Sequence, residues 1–367
     1  MDALVTNRGP LSRVLNLASN KSIGQGCAVK RIPIPTISAH QILVKVHAVA
    51  LNPIDFISID ILAPRGSIIG CDYAGSVAPV GERALGQWKV GDRVAGFVYG
   101  GLYKDRGSFC RYLKVDADLA WRVPAGLSDG EAASYGVSAA TAMLALTVYL
   151  GLPSLYEPPA SASPNMLKDR SEGGGAILIY AGSTTVGLFA IQLARKIGYT
   201  VVTTASPHSF ELVKQYGADS VFDYHSPTAA QDIIRSFPCI TQALDCISKG
   251  PSTEFCARVM ARNGGKVVTL LDQGKSKVEG VTYEYLVCFT MFGEKFAWFP
   301  PVGPAFPVVA SRREALAGFY ANLPSLVGYV KPPPLLVLGT GFEKILEGLD
   351  ELRAGKVSGR KLIVKLE

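Results

Sequence analysis

The sequence predicts an α/β protein in two parts: a compact strand-rich part, then a parallel sheet covered by helices. Three observations carry this. The first third holds many short apolar runs between Gly and Pro turns, the pattern of a barrel-like domain. From residue 176 onward, apolar runs alternate with helix-like segments, as parallel strands joined by crossovers require. Between them, residues 153–175 are rich in Pro, Ser and Gly and read as an exposed loop or linker. With 367 residues, 48% of them hydrophobic and 18% charged, the chain can bury a sizeable core in two ordinary domains or one large one.

Taken in order, Gln41–Ala50 alternates apolar and polar positions, with Lys45 and His47 on the polar face. Residues 70–80 and 93–98 read as strands between glycine turns, and 109–115 as another. Over 128–150 Ala, Leu and Thr dominate and the pattern turns helical. Ala176–Tyr180 is an apolar run that meets a small-residue turn, 181–185. A helix-like segment follows to about Ile197, then a second apolar run, 199–205. Further strands are read at 242–246, 266–271 and 286–292, and helices at 209–216, 229–236 and 253–262. A late helix spans 342–354, and Lys361–Lys365 is a terminal strand placed to return to the first domain. No internal repeat is visible.

Several classes are set aside on composition. The opening residues lack the apolar core and cleavage pattern of a secretory signal. Apolar runs are short and interrupted, so no membrane span is expected. Seven cysteines, without CxxC spacing, favour free thiols in a reducing, cytoplasmic setting. Formal net charge is +7, but no Lys/Arg run with interleaved aromatics suggests nucleic acid. A diffuse positive field suits an acidic partner or a phosphorylated ligand.

The unit around residues 176–205 has the strand–turn–helix–strand order that lays a dinucleotide pyrophosphate on a helix N-terminus. Its glycine fingerprint is degraded. Ala181 and Thr184 stand in the first two glycine positions, and Gly187 alone remains as the third. Small residues at Ala181, Gly182 and Ser183 still let backbone approach phosphate, and Thr184 and Thr185 add hydroxyl donors. An NAD site usually offers a carboxylate at the end of the second strand, to hold the ribose 2′-hydroxyl. This chain offers Ser206, Pro207, His208 and Ser209 instead, which suits a 2′-phosphate and hence NADPH. Tyr224 is placed to reach the same phosphate. Ser206 equally suits an N-cap of the following helix, and the two roles can coexist. Lys214 is assigned to a solvated helix face. An ordinary strand–helix packing turn is the simpler alternative for the whole unit.

Two further segments, AVALNPID and GCDYAGSVAPVG, followed by VGDRV, resemble the N-terminal domain of the medium-chain dehydrogenase/reductase superfamily, and the ending GKVSGRK does likewise. More narrowly, YAGSTTVG, TTASPHSFELVKQYGADSVFDYHSP and QALDCIS resemble fungal trans-acting enoyl reductases of polyketide synthases. The resemblance covers nearly the whole chain. It implies a GroES-like, partly closed β-barrel domain over residues 1–150 and a doubly wound parallel-sheet (Rossmann) cofactor domain over 151–310. Residues 311–367 would return to the first domain.

Zinc members of the superfamily carry a ligand histidine in a GHE motif. Here that position is Cys71, the first ligand cysteine is missing from LNPID, and the cysteine lobe of a structural zinc is absent. A zinc-free protein is expected, with His40 and His47 as strand-surface residues. The resemblance further implies that Ile54, Asp55, Phe56 and Ile57 lie beside the nicotinamide. Ser183, Thr184, Thr185 and Val186 would wrap the pyrophosphate. Ser206, Pro207, His208, Ser209 and Tyr224 would hold the 2′-phosphate. Leu270, Leu271, Val357 and Ser358 would close over the nicotinamide. Gly136, Val137, Ser138, Ala139, Ala140, Thr141, Ala142 and Met143 would line the acyl pocket, with Cys288, Phe289, Thr290, Met291 and Phe292. Phe289 and Phe292 equally suit a core strand. Ile57 and Ala139 are apolar where the family has Lys or Thr at some nicotinamide-side positions.

The implied reaction is NADPH-dependent reduction of an α,β-unsaturated acyl thioester. No catalytic side chain is named by spacing, and the proton source is Tyr73, a threonine or water. The implied partner is the acyl carrier protein of a polyketide or polyketide–peptide hybrid synthase, met by a monomer. A stand-alone quinone or enone reductase and a non-catalytic scaffold are the alternatives.

Overall fold

The computed structural model describes residues 1–19, 26–153, 155 and 175–366. The loop expected at 153–175 lies almost wholly outside the described residues. The chain divides into two compact units, one of Met1–Val137, Phe289–Ser325 and Pro334–Glu367, the other of Ser138–Cys288 and Leu326–Pro333. Along the chain the division falls at Val137/Ser138, Cys288/Phe289, Ser325/Leu326 and Pro333/Pro334. The physical reasons are local. Val137 N–H is bonded to Asp72 in the first unit, and Phe289 stacks on Tyr99 of that unit at 3.7 Å.

The first unit is built on a mixed sheet in the order Leu335–Thr340, Lys361–Lys365, Gln41–Ala50, Asp72–Val80, Arg93–Phe97 and Trp121–Arg122, with Tyr112–Asp116 also on Gln41–Ala50. Gln41–Ala50 is its hub: Ala48–Ala50 pair with the terminal strand, Gln41–Lys45 with Tyr112–Asp116, and the other edge with Asp72–Val80. Its alternation works as read, since Ile42, Val44 and Val46 are buried while Lys45 is exposed. His40 lies in the turn before this strand, exposed, and His47 is on the polar face.

The second unit is a six-stranded parallel sheet in the order Ser220–Asp223, Thr200–Ala205, Ala176–Tyr180, Gln242–Asp245, Gly265–Thr269 and Val281–Tyr285. Successive crossovers move outward one way from Ala176–Tyr180, then return and move the other way. The strand order thus reverses beside Ala176–Tyr180, where open α/β sheets bind ligands. Helix Thr185–Lys196 covers the sheet with Leu188, Phe189, Ile191 and Leu193, all fully buried.

The strand read at 286–292 is not one. The ladder closes with Val281–Tyr285, and Cys288–Phe292 is a 3₁₀ turn. Its aromatic content mimics a strand, but Phe292 packs 4.8 Å from the Phe97 ring and Phe289 on Tyr99. Helices Pro10–Ser19 and Ala310–Leu326 and strands Asp2–Thr6, Cys27–Arg31 and Leu335–Thr340 carry no reading in the sequence pattern above.

The helix Pro10–Ser19 is inverted. Arg13 and Asn16 face inward while Leu11, Val14, Leu15 and Leu17 are exposed. The reason is a turn of π-helix, Ser58–Leu62, whose last carbonyls have no following helical N–H to meet and are satisfied from outside. Arg8 Nε donates to Ile59 O at 3.1 Å, Asn16 Nδ2 to Asp60 O at 2.9 Å, and Arg13 to Ile61 O and Leu62 O at 2.7 and 2.5 Å. Among the described residues no helix is long and apolar enough to cross a membrane.

Candidate functional site

In the second unit the turn after Ala176–Tyr180 is shaped by contacts that leave no room for larger residues. Ala181 takes a left-handed φ of 60°, the conformation a first fingerprint glycine would supply. Thr204 holds it, its Oγ1 accepting from Ala181 N at 3.0 Å and its carbonyl from Gly182 N at 2.9 Å. A Cβ on Gly182 would lie 2.1 Å from Thr203 Oγ1, so the turn packs tightly onto the neighbouring strand. Thr184 is the N-cap of the helix: its Oγ1 accepts from Gly187 N at 3.0 Å and donates to Ala181 O at 2.9 Å. Ser183, Thr184, Thr185 and Val186 are half-buried at this helix N-terminus. Its first-turn N–H groups and positive dipole end are what an anion binds. Thr185 Oγ1 lies 2.9 Å from Ser138 Oγ, which brings the pyrophosphate set and the 136–143 set into contact.

At the end of the adjoining strand, Ser206 Oγ donates to Tyr224 Oη at 3.3 Å, joining two residues assigned to the 2′-phosphate. Pro207 and His208 are exposed, whereas Ser209 is buried. Ser206 makes no side-chain cap bond, so its hydroxyl is not spent on the helix start. The nearest strand-end carboxylate, Asp223, pairs in register with Ala205 but is held by the His225 N–H and ring, both at 3.0 Å. Leu270 and Leu271 follow the strand Gly265–Thr269 and are half-buried. Lys214 is exposed and pairs with Glu211 on its own helix face. The helix N-terminus and its small-residue turn fit the pyrophosphate of a dinucleotide.

The same edge holds a residue that sequence reasoning missed. Asp245, fully buried at the end of Gln242–Asp245, accepts from Ile247 N at 3.0 Å, Ser248 N at 2.9 Å, Ser252 Oγ at 2.7 Å and Thr253 Oγ1 at 2.6 Å. Ser248 Oγ in turn accepts from Leu270 N at 2.8 Å. The loop beside Leu270 is thereby fixed by one carboxylate. A charged residue closing an apolar strand was the available signal.

In the first unit, Ile54, Asp55, Phe56 and Ile57 lie on the short helix Pro53–Ile57. Asp55 is wholly buried and points away from solvent, toward Asn52 N–H at 2.8 Å. Ile54, Phe56 and Ile57 are half-buried, with the Arg353 guanidinium 5.4 Å from the Phe56 ring centroid. Val357 and Ser358 lie in the loop after helix Phe342–Arg353; Val357 packs on the barrel core and Ser358 is exposed. Gly136, Val137, Ser138, Ala139, Ala140, Thr141, Ala142 and Met143 are all buried. Phe289, Thr290, Met291 and Phe292 are buried too, with Cys288 half-buried.

Cys71 and the segment 51–55, the positions a zinc member would use for ligands, belong instead to a buried network around Asn52, Asp55 and Asp72, whose cation is the Lys361 ammonium. Among the described residues no group of three or more His, Cys, Asp and Glu is arranged to hold a metal. Burial, reinforced by the Asp72 charge, pushes the Asp55 carboxyl up to about 7, while the Asn52 N–H opposes the shift. An acid raised in the folded state stabilises the fold most below its unfolded range, and that stability is lost as pH rises through the folded value. Stability should therefore fall between about pH 4 and pH 7, and Asp55→Asn should flatten the slope. Urea midpoints measured across that window check this; an unchanged slope in the variant would reject the assignment.

Tyr73 is fully buried in the barrel core, its hydroxyl without a hydrogen-bond partner among the described residues. Burial raises its pKa, so it is not poised to give a proton. His47 does form a chain with Ser76 and Asp129: Nε2 is 3.1 Å from Ser76 Oγ and Nδ1 is 3.0 Å from Asp129 Oδ2. Arg93 holds the other Asp129 oxygen at 2.5 Å, and the chain ties the helix Asp129–Ala133 to the sheet.

Fold and turn together define a dinucleotide-binding protein of the medium-chain dehydrogenase/reductase superfamily. An alcohol dehydrogenase GroES-like domain model matches residues 38–125 and a zinc-binding dehydrogenase model matches 185–282. Among solved structures, the CurK enoyl reductase aligns with TM-score 0.71 at 18% identity, covering 100% of this chain and 99% of that one. A mycobacterial protein complexed with NADPH aligns with TM-score 0.70 at 20% identity, covering 100% and 99%. Sequence relatives are more specific. A trans-enoyl reductase of Trichoderma harzianum, thnE, is 35% identical, covering 94% of each chain. One of Aspergillus niger, caaB, is 36% identical over 90% of this chain and 91% of its own, and TOXD of Cochliobolus carbonum is 39% identical over 76% and 90%. The chain belongs to the fungal trans-enoyl reductases.

Proposed function

We propose that this protein reduces the α,β double bond of a polyketide acyl thioester, carried by the acyl carrier protein of a partner synthase, with NADPH as the reductant. The observation that supports the cofactor most directly is the Ser206–Tyr224 hydroxyl pair at a strand end whose register-paired carboxylate, Asp223, is already engaged by His225. The activity is supported by the family, and the partner by the trans-enoyl reductase relatives together with a net charge of +7. The protein works as a monomer in the cytoplasm on this reading.

NADPH, when bound, supplies the hydride that goes to the β-carbon. The protein's own part is to hold and orient. The turn residues Ser183, Thr184, Thr185 and Val186 take the pyrophosphate on helix N–H groups. Ser206, His208 and Tyr224 take the 2′-phosphate, while Ile54, Phe56, Ile57, Leu270, Leu271, Val357 and Ser358 flank the nicotinamide. Residues 136–143 and 288–292 shape the acyl site. Charge gathers on the thioester oxygen as the enolate forms, and backbone N–H groups can stabilise it without a titrating side chain. With Tyr73 sealed in the core, the α-carbon proton comes from a threonine or from water.

Ser206→Asp places a carboxylate against the 2′-phosphate. It should weaken NADPH binding on the order of 10- to 100-fold while changing NADH affinity little. Fluorescence titration with both cofactors checks this; parallel losses would place the phosphate elsewhere. For the reaction, NADPH oxidation is followed with a pantetheine-linked enoyl thioester and with simple quinones. Turnover of quinones without thioester activity would favour a free-standing quinone reductase. Absence of any NADPH-induced fluorescence change or thermal shift would favour a scaffold.

A further inference from the structure

Three chain segments that the proposed reaction needs in fixed places converge on one carboxylate. Asp72 is fully buried. Its Oδ1 accepts from Val137 N–H at 2.7 Å. Its Oδ2 accepts from Asn52 Nδ2 at 3.0 Å and lies 3.1 Å from Lys361 Nζ. Asn52 is itself locked: Nδ2 also donates to Ala50 O at 3.3 Å, and Oδ1 accepts from Lys361 Nζ. Each partner opens an element. Asn52 caps the helix Pro53–Ile57, Val137 begins the helix Val137–Met143, and Lys361 begins the last strand of the barrel sheet.

The socket is close-fitting. A Cβ on Gly136 would lie 2.2 Å from Asp72 Oδ1, so only glycine leaves the carboxylate room beside Val137. The groups facing Asp72 are one cation, Lys361, one amide, Asn52, and the neutral backbone of Val137; Asp55 is the second buried acid, beyond Asn52. A buried ion pair adds little net stability compared with an apolar replacement of equal shape. What it adds is direction: each bond is short and angular, and each fixes a different segment.

We propose that Asp72 is a positioning residue for hydride transfer, one buried carboxylate that, neutralised by Lys361, sets the start of the helix bearing Ile54, Phe56 and Ile57 and the first residue of the helix Val137–Met143. This rests on the enoyl reductase reading above. The alignment of two reacting carbons is sensitive to misplacement near 1 Å, which costs on the order of 100-fold in rate. Asp72 touches neither substrate nor cofactor on this account, so its loss should appear in the chemical step and not in cofactor affinity.

The test uses full-length protein and three variants. Asp72→Asn with Lys361→Met removes both charges together, so neither is left buried alone. Gly136→Ala keeps both charges and pushes the carboxylate off Val137 N–H. Asp72→Asn alone shows the cost of the unmatched ammonium. Melting temperature, NADPH affinity, kcat and KM for an enoyl thioester, and the isotope effect with NADPH deuterated at the transferred hydrogen are measured. The double variant and Gly136→Ala should fold, bind NADPH within about threefold of wild type, and lose on the order of 10- to 100-fold in kcat, with a larger isotope effect. Folded variants with wild-type kcat would overturn the positioning role, as would activity lost only in proportion to the folded fraction. A wild type that oxidises NADPH with no enoyl thioester would instead overturn the functional reading, and the positioning role with it.

Discussion

Asp245→Ala should lower the stability of the protein by about 3–5 kcal/mol, because four donors lose their only shared acceptor inside the fold. Asp245 is fully buried, and two backbone N–H groups and two hydroxyls converge on its carboxylate. Alanine leaves these donors facing a cavity. In a protein of this size that corresponds to a fall in melting temperature of roughly 4–7 °C. Asp245→Asn keeps the shape and one oxygen, and the Ser252 and Thr253 hydroxyls can rotate to accept from its amide, so about half the loss should be recovered. The change should also loosen Leu270, whose N–H reaches the same loop through Ser248 Oγ. Calorimetry on the three proteins decides it. An alanine variant within about 1 kcal/mol of wild type would mean the loop is held by something other than this carboxylate.

Gly187→Ala should weaken cofactor binding by more than about 10-fold while leaving the chain largely folded. The added Cβ would stand 2.7 Å from Ala181 O and from Gly182 Cα and O, all backbone atoms of the phosphate turn. Backbone cannot swing aside as a side chain does, so the turn itself must shift. A local cost of about 1–3 kcal/mol is expected from overpacking. The larger effect falls on binding, since the turn's N–H groups must converge on one pyrophosphate; a loss above 10-fold in NADPH affinity follows. Titration and a thermal melt separate the two effects. Wild-type affinity in the variant would show that phosphate is not held at this turn.

Much of the fold was legible because period and punctuation agree locally. The run Ala176–Tyr180, its small-residue turn and the helix Thr185–Lys196 form one unit whose order admits few alternatives. The surviving glycine at 187 was a correct guide, since backbone crowding demands it. The phosphate-turn and strand-end residues could be gathered from order along the chain alone, because successive strand ends line one edge of a parallel sheet. The strand read at 286–292 misled because aromatic content favours strands only when a pleated neighbour receives it, and here Tyr99 and Phe97 receive it as a turn. The network of Asn52, Asp72 and Lys361 was illegible for a different reason. Its members are separated by 20 and 289 positions, and no local spacing reports a partner at that distance. Cys71 drew attention to its own neighbourhood, whereas the cation paired with the adjoining Asp72 lies at the far end of the sequence.

The inverted helix Pro10–Ser19 carries a thermodynamic consequence. Its grip on the π-turn is made of guanidinium and amide donors reaching carbonyls, while Leu11, Val14 and Leu17 already meet water in the native state. Lifting it off exposes little additional hydrocarbon, so that opening carries a small heat-capacity change. Its free energy should run nearly straight with temperature where the rest of the molecule follows a dome. On warming from the cold, this corner loosens steadily while the two cores are still gaining strength.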